Sequence, residues 1–412
     1  MARPREESRR NLWPLVMGQS VSLLGDYLAF FFALPVFIRD TTGSATQLGL
    51  LAVFETGALL IFGFFAGVLL DRVRIRRVIV IADLVRAAGF ALLAVAVAIG
   101  SAESWMGFAV AFLVGSMGSV FDSGLEGLMP AVLTDDLLVV ANSRLTIGRN
   151  LAQTVGFVAG GIVVAAGGIT GAFAFNAFSY LVSAGALLML IEVRPRALPP
   201  PEALFPSLRE GIQTLWRSSP LRWATLAATL TNLAFAPLAA VLTLYARDDL
   251  GIVGDRRLGL FFAGFSSLGV VGATLAPRLV GRFGLGRAII AGGFIFGVGA
   301  ASTGFIDGWW AVGTLGLALS GVAINQVGFV TLRQRITPPD RLGRVIAASR
   351  TISWIGIPIG AALGGLLGDR VGLRPIFVGG GLAISLVAAL LILGPLWDRH
   401  LGTNPVEASP VV

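Results

Sequence analysis

Asp26, Glu55, Asp83, Arg86, Asp122, Glu126 and Arg149 are ionisable side chains set inside long apolar runs. A charge in a hydrocarbon interior is costly enough that it faces a cavity or a partner. Spacing separates them into three groups. Asp83 and Arg86 stand three apart, within pairing reach on one helix face, and read as a structural ion pair. Asp122 and Glu126 stand four apart with Arg149 expected at similar depth, which reads as a buried ion cluster, substrate contact being the alternative. Asp26 and Glu55 remain. Asp26 lies 13 residues beyond Trp13, where the first run begins, or ~20 Å of helix. Glu55 lies 8 residues beyond Gln47, where the second run enters from the other side, or ~12 Å. Both carboxylates then sit at similar depth in a ~30 Å core, and no embedded basic residue is expected beside them. Such acids suit a proton loaded and unloaded in alternate conformations, or the direct binding of a cationic solute, or a permanently neutral role.

The elements that position these residues follow from composition. Of 412 residues, 55% are apolar and 13% charged, with a mean hydropathy of +0.84, where soluble domains carry about a quarter charged. The chain is therefore an all-α polytopic membrane protein. All 31 basic residues are arginine. Without lysine there is no Walker A loop and no Schiff base. Without cysteine there is no disulfide, thiolate or cysteine metal site. The single histidine, His400, lies in the polar tail, which leaves neither a serine–histidine pair nor a zinc-protease site. No cofactor or metal is expected, and no nucleic acid either, since the net charge of +8 is dispersed between apolar segments rather than gathered on one soluble face.

Twelve spans are expected, in two pseudo-symmetric bundles of six: 13–37, 47–70, 77–99, 104–133, 145–167, 170–192, 222–246, 257–280, 286–306, 309–332, 346–368 and 374–396. Loops and tails on one side hold 21 arginines and on the other 6, which puts both termini in the cytoplasm. The first run lacks a small-residue cleavage site and reads as an uncleaved helix. Between spans six and seven, Pro195, Pro199, Pro200, Pro201 and Pro206 mark a linker, dividing the chain into 1–193, 194–221 and 222–412. Its second part places Leu208, Ile212, Leu215 and Trp216 opposite Arg209 and Glu210, a short helix on the inner surface. An internal repeat supports the division: Gly67–Ile79 returns as Pro277–Ile289, and Ala141–Arg144 as Ala347–Arg350. Repeated halves are a transporter's architecture. The polar residues of the second half read as uncharged: Asn232, Asn325 and Gln326, candidate cavity lining with aromatics nearby in sequence.

Gly67-x-x-x-Asp71-Arg72 followed by Arg76-Arg77, between the second and third spans, resembles the signature loop of the major facilitator superfamily. Gly25-Asp26, Asp83-Leu84-Val85-Arg86, Asn176-Ala177-Phe178-Ser179 and Thr337-Pro338-x-x-Arg341-x-Gly343-Arg344-Val345 are similar to its macrolide-efflux and siderophore-export branch. The chain departs from family patterns at Arg74, Ile75, Asn176 and Phe157, the last beside Gly156-x-x-x-Gly160-Gly161. In the loop, Gly67 permits close helix approach, and Asp71 can face a helix N-terminus, for which the resemblance implies the start of helix eleven. Arg72, Arg76 and Arg77 need anions, and Asp135 and Asp136 lie on the same side. Together these contacts are expected to close a cytoplasmic gate, the alternative being that the arginines set topology and bind anionic lipid. The resemblance implies a monomeric secondary transporter of the inner membrane, exporting amphipathic drug-, macrolide- or siderophore-like molecules against protons. A proton-coupled importer or facilitator is the alternative. A membrane transferase would want clustered loop aspartates, and Asp135-Asp136 and Asp248-Asp249 are isolated pairs; a non-transporting sensor or scaffold would want a soluble sensory domain.

Overall fold

The computed structural model describes residues 2–72, 74–191, 204–337 and 341–397; side chains are described within these except 2–5, 63–72, 204–208 and Asp135, Asp136, Val139, Ser143, Thr146, Asn150 and Gly343. The gate residues Gly67, Asp71 and Arg72 therefore lie on a described helix with side chains outside the described set, as do the side chains of Asp135 and Asp136. His400 and the proline-rich start of the linker lie outside the described residues.

The described residues form helices, in chain order α1 Ala2–Gly25, a π-helical segment Asp26–Ala33, α2 Leu34–Thr42, α3 Ala45–Arg72, α4 Ile75–Ala98, α5 Ser104–Val132, α6 Asp135–Leu188, α7 Leu204–Arg217, α8 Ser219–Asp248, α9 Asp255–Phe283, α10 Leu285–Thr303, α11 Ala311–Ile336, α12 Leu342–Trp354, α13 Gly356–Val371 and α14 Leu373–Ile392. Eleven stretches among the described residues are long and apolar enough to cross a membrane. One of them, Val140–Leu188, holds two spans. The 54 residues of α6 would reach ~80 Å as one straight helix, far beyond a bilayer core. The break is at Gly168, with φ +70° and ψ 176°, a conformation essentially restricted to glycine. Twelve spans result.

Two compact units divide the chain, Met1–Pro201 with Val253–Ala263, and Glu202–Ile252 with Gly264–Val412. In the first, α1 and α4 pack along α6, and α3 and α4 pack along α5. Helix α4 shows why. Ile81, Leu84, Leu92, Val95 and Ile99 are exposed along one side, while Asp83, Arg86, Phe90 and Ala94 are buried. In lipid the apolar face points out and the polar face must find partners within the protein. Asn11 ties α1 to the ends of α5 and α6: its Nδ2 donates to the carbonyls of Val132 (2.8 Å) and Ile191 (2.6 Å), and the Ile191 N–H donates back to Oδ1 (2.8 Å).

In the second unit, α8 packs on α13 and α14, and α10 on α11 and α14. Gly356, Gly360 and Gly364 recur every fourth residue on α13 and lie against the α8 backbone from Thr229 to Pro237, where an added methyl would overlap it. Lipid offers no hydrophobic drive between helices, so such close contact carries the packing. The linker helix is present as α7, seated on α12. On it Gly211 and Leu215 are buried, Glu210 pairs with Arg344 (2.6 Å) and Arg341 (3.5 Å), and Ile212 and Trp216 are exposed. Gly211 admits the Arg344 backbone and Leu215 packs with Leu221 and Val345, contacts no helical wheel contains. The repeated Ala141–Arg144 and Ala347–Arg350 share a feature: Arg144 stacks on Trp13 at 4.8 Å and Arg350 on Trp354 at 4.2 Å.

Candidate functional site

The first unit holds a buried polar cluster around the turn where helix α1 changes pitch. Asp26 opens the π-helical segment. A π turn carries an extra residue, which rotates the following side chains relative to an α-helix and recurs at functional sites. Gly25, just before it, has no room for a methyl against Asn176 and Ser179 of α6, so that wall lies directly on the first span. The Tyr180 hydroxyl donates to Asp26 Oδ1. Asn176, whose Nδ2 is buried without a partner, borders Asp26, and Ser179 Oγ donates to the Asn176 backbone carbonyl (2.9 Å) and to Oδ1 (3.0 Å).

Asp83 and Arg86 on α4 do pair, through Oδ1 and a guanidinium nitrogen, and both are buried. Their satisfaction is incomplete, since Asp83 Oδ2 and Arg86 Nε have no hydrogen-bond partner. Ser183 borders Asp83 and accepts a bond from Gln19 Nε2 at 2.9 Å. The Arg86 guanidinium also stacks on two rings, Tyr180 and Phe121, each at 4.4 Å, a cation–π arrangement. Tyr180 thus touches the arginine with its ring and the aspartate with its hydroxyl. Phe90 lies beside that ring at 6.2 Å and against Phe173 at 5.6 Å, closing the apolar side of the cluster.

This placement corrects one expectation. No basic residue was expected at the depth of Asp26, yet Arg86 is near enough for its charge to act on that carboxylate. Arg86 lies eleven residues along α4 from Ile75, ~16 Å from the side where α1 also enters. The two depths therefore overlap, whichever residue Arg86 bonds. Glu55 is half-buried on α3 within electrostatic range of Asp26, and its carbonyl lies against Gly115 of α5.

The expected buried cluster of Asp122, Glu126 and Arg149 is not buried: all three side chains are exposed. Helical spacing set their register but not which face α5 turns inward. That face is taken by Gly124, Leu128 and Met129. The charge of Asp122 still acts on Arg86. Of the loop arginines, Arg76 donates to the backbone carbonyl of Leu188 at the end of α6, a helix C-terminus standing in for the anion expected there, and Arg77 is exposed.

In the second unit Asn232 Nδ2 donates to the Ser353 carbonyl (2.8 Å) and Asn325 Nδ2 to the Ile289 carbonyl (3.1 Å), so both join helices, while Gln326 is exposed. That half is not free of embedded charge. Arg350 on α12 was overlooked, although its place in the repeated Ala-Ala-Ser-Arg segment signalled it. Among the described residues no group of three His, Cys, Asp or Glu side chains is arranged to hold a metal.

A model of the Major Facilitator Superfamily matches residues 15–361 and 254–408. The chain is 26% identical over 401 residues to the enterobactin exporter EntS of Escherichia coli (strain K12), covering 95% of this chain and 92% of that protein. It is 29% identical over 403 residues to the enterobactin exporter EntS of Salmonella typhi, covering 94% and 92%. The fold is similar to a bacterial homologue of the iron transporter ferroportin in an inward-facing state, with a TM-score of 0.72, 18% identity and coverage of 93% and 98%. It is likewise similar to the nucleoside transporter NupG, with a TM-score of 0.72, 10% identity and coverage of 93% and 98%.

Proposed function

Since the chain belongs to the major facilitator superfamily and is a multi-pass membrane transporter of small molecules, we propose that it exports an amphipathic solute from the cytoplasm in exchange for protons. The observation that carries the reading is Asp26, at the head of a π-helical segment, bonded by Tyr180 and within reach of the Arg86 charge. A carboxylate whose proton can be exchanged must sit where its charged and neutral forms are both accommodated. Arg86 and the Tyr180 hydroxyl accommodate the charged form. The apolar wall of Phe90 and Phe173 accommodates the neutral one. A modest movement of Tyr180 or Arg86 then tips the balance, which is what a coupling site needs between its two access states.

Export is supported by the similarity to two enterobactin exporters. The arginine asymmetry of the loops supports a cytoplasmic-membrane protein with both termini inside. Glu55 is the second acid of the coupling region, and the protein works as a monomer by alternating access. The test is transport in proteoliposomes with an imposed pH gradient and a panel of amphipathic compounds. Solute should move opposite to the proton gradient and stop when a protonophore collapses it. Movement in the same direction as the protons would make the protein an importer.

A further inference from the structure

A second polar cluster lies in the other unit, at the end of α11 and the start of α12, and the coupling reading does not use it. Arg333 donates from Nη1 to Ser349 Oγ at 3.3 Å, and Ser349 Oγ is in turn 3.0 Å from Thr225 Oγ1. Both hydroxyl residues are buried, at 4% and 3% exposure. Arg333 Nε is buried with no hydrogen-bond partner. Arg350 lies near enough for the two positive charges to act on each other, and its guanidinium covers the face of Trp354 at 4.2 Å. Among the described residues neither arginine is in an ion pair with a carboxylate, whereas Arg341 and Arg344 close by share Glu210. Two like charges held together with a buried donor left open are unfavourable until an anion joins them.

We propose that Arg333 and Arg350, with the hydroxyls of Ser349 and Thr225, bind the oxyanion of the transported solute on the cytoplasmic side, and that Trp354 takes its aromatic or apolar body. Arg350 is six residues beyond Arg344, where the span begins, or ~9 Å into the membrane, a depth a soluble counter-ion does not occupy for free. The repeat sharpens the assignment. Arg144 is the counterpart of Arg350 in the first half, but the residue at the spacing of Arg333 is Gly127, so the paired arginines belong to the second half alone. A guanidinium fork suits a planar carboxylate or a phosphate better than a point charge would. The inference rests on the export reading for the direction of travel only, and it makes the amphipathic solute an anion.

Equilibrium binding to the purified full chain in neutral detergent tests it without any gradient, so its outcome is separate from that of the transport assay. Radiolabelled salicylate is the aryl-carboxylate probe, tetraphenylphosphonium the cation control, and phosphatidylglycerol the competing lipid oxyanion. Salicylate should bind saturably and tetraphenylphosphonium should not compete. Arg333→Gln and Arg350→Gln should each weaken salicylate by about tenfold, the size of one charge-assisted hydrogen bond. Arg350→Lys should lose less, and Arg335→Gln, on the exposed side of the same helix end, should bind as the parent does. Size-exclusion profiles establish that each variant is folded. Salicylate binding undiminished in both glutamine variants, no saturable binding by the folded parent, or competition for the site by phosphatidylglycerol where salicylate fails would each overturn the proposal.

Discussion

Arg86 is the residue on which the acidic cluster turns, because it is shared. It pairs with Asp83, stacks on Tyr180 and Phe121, and acts on Asp26. Removing one member of a buried ion pair leaves the other charge uncompensated, which costs about 3–5 kcal/mol. Arg86→Gln or Asp83→Asn should therefore lower thermal stability in detergent sharply. The double variant should recover part of the loss, since neither charge then remains; a double variant no more stable than the worse single one would show that the pair is not the dominant contact. Tyr180→Phe has a different signature. The ring and its stacking persist while the bond to Asp26 is lost, so the pH dependence of transport should shift while folding stability changes by only about 1 kcal/mol.

At the scale of elements, the sharpest case is α6, where one glycine separates two spans. Gly168 needs its positive φ, and strain of that kind costs about 1–3 kcal/mol when a side chain is added. Gly168→Ala should lower the thermal midpoint, whereas Gly167→Ala, with no positive φ and open space around it, should be close to neutral. Comparing the two midpoints separates backbone strain from helix propensity. The same element shows what was legible in sequence: runs ending at 167 and resuming at 170 bracketed Gly168, because lipid length and turn residues are local. The π-helical turn at Asp26 was not legible, since Asp-Tyr-Leu-Ala-Phe-Phe-Phe-Ala reads equally as α-helix. Nor was the sharing of Arg86, because depth was compared between Asp26 and Glu55 while Arg86 was assigned wholly to Asp83 on its own helix. Asn11 was missed for a related reason: what it touches is distant in sequence, on Val132 and Ile191.

For the whole molecule, orientation and coupling are the claims to test. The chain has no cysteine, so single cysteines report position without background. Glu103→Cys, between α4 and α5, should react with an impermeant maleimide from outside intact cells, and Gln213→Cys on α7 should react only after the membrane is opened. Reversed labelling would invert the topology. The central claim is that Asp26 carries the proton that drives export, and one variant addresses it most directly: Asp26→Asn in proteoliposomes, assayed both with a pH gradient and as solute exchange across symmetric vesicles. The account predicts that gradient-driven export is lost and exchange is kept, because the asparagine holds the neutral form permanently while leaving the solute's path intact. Full gradient-driven export by Asp26→Asn would contradict it.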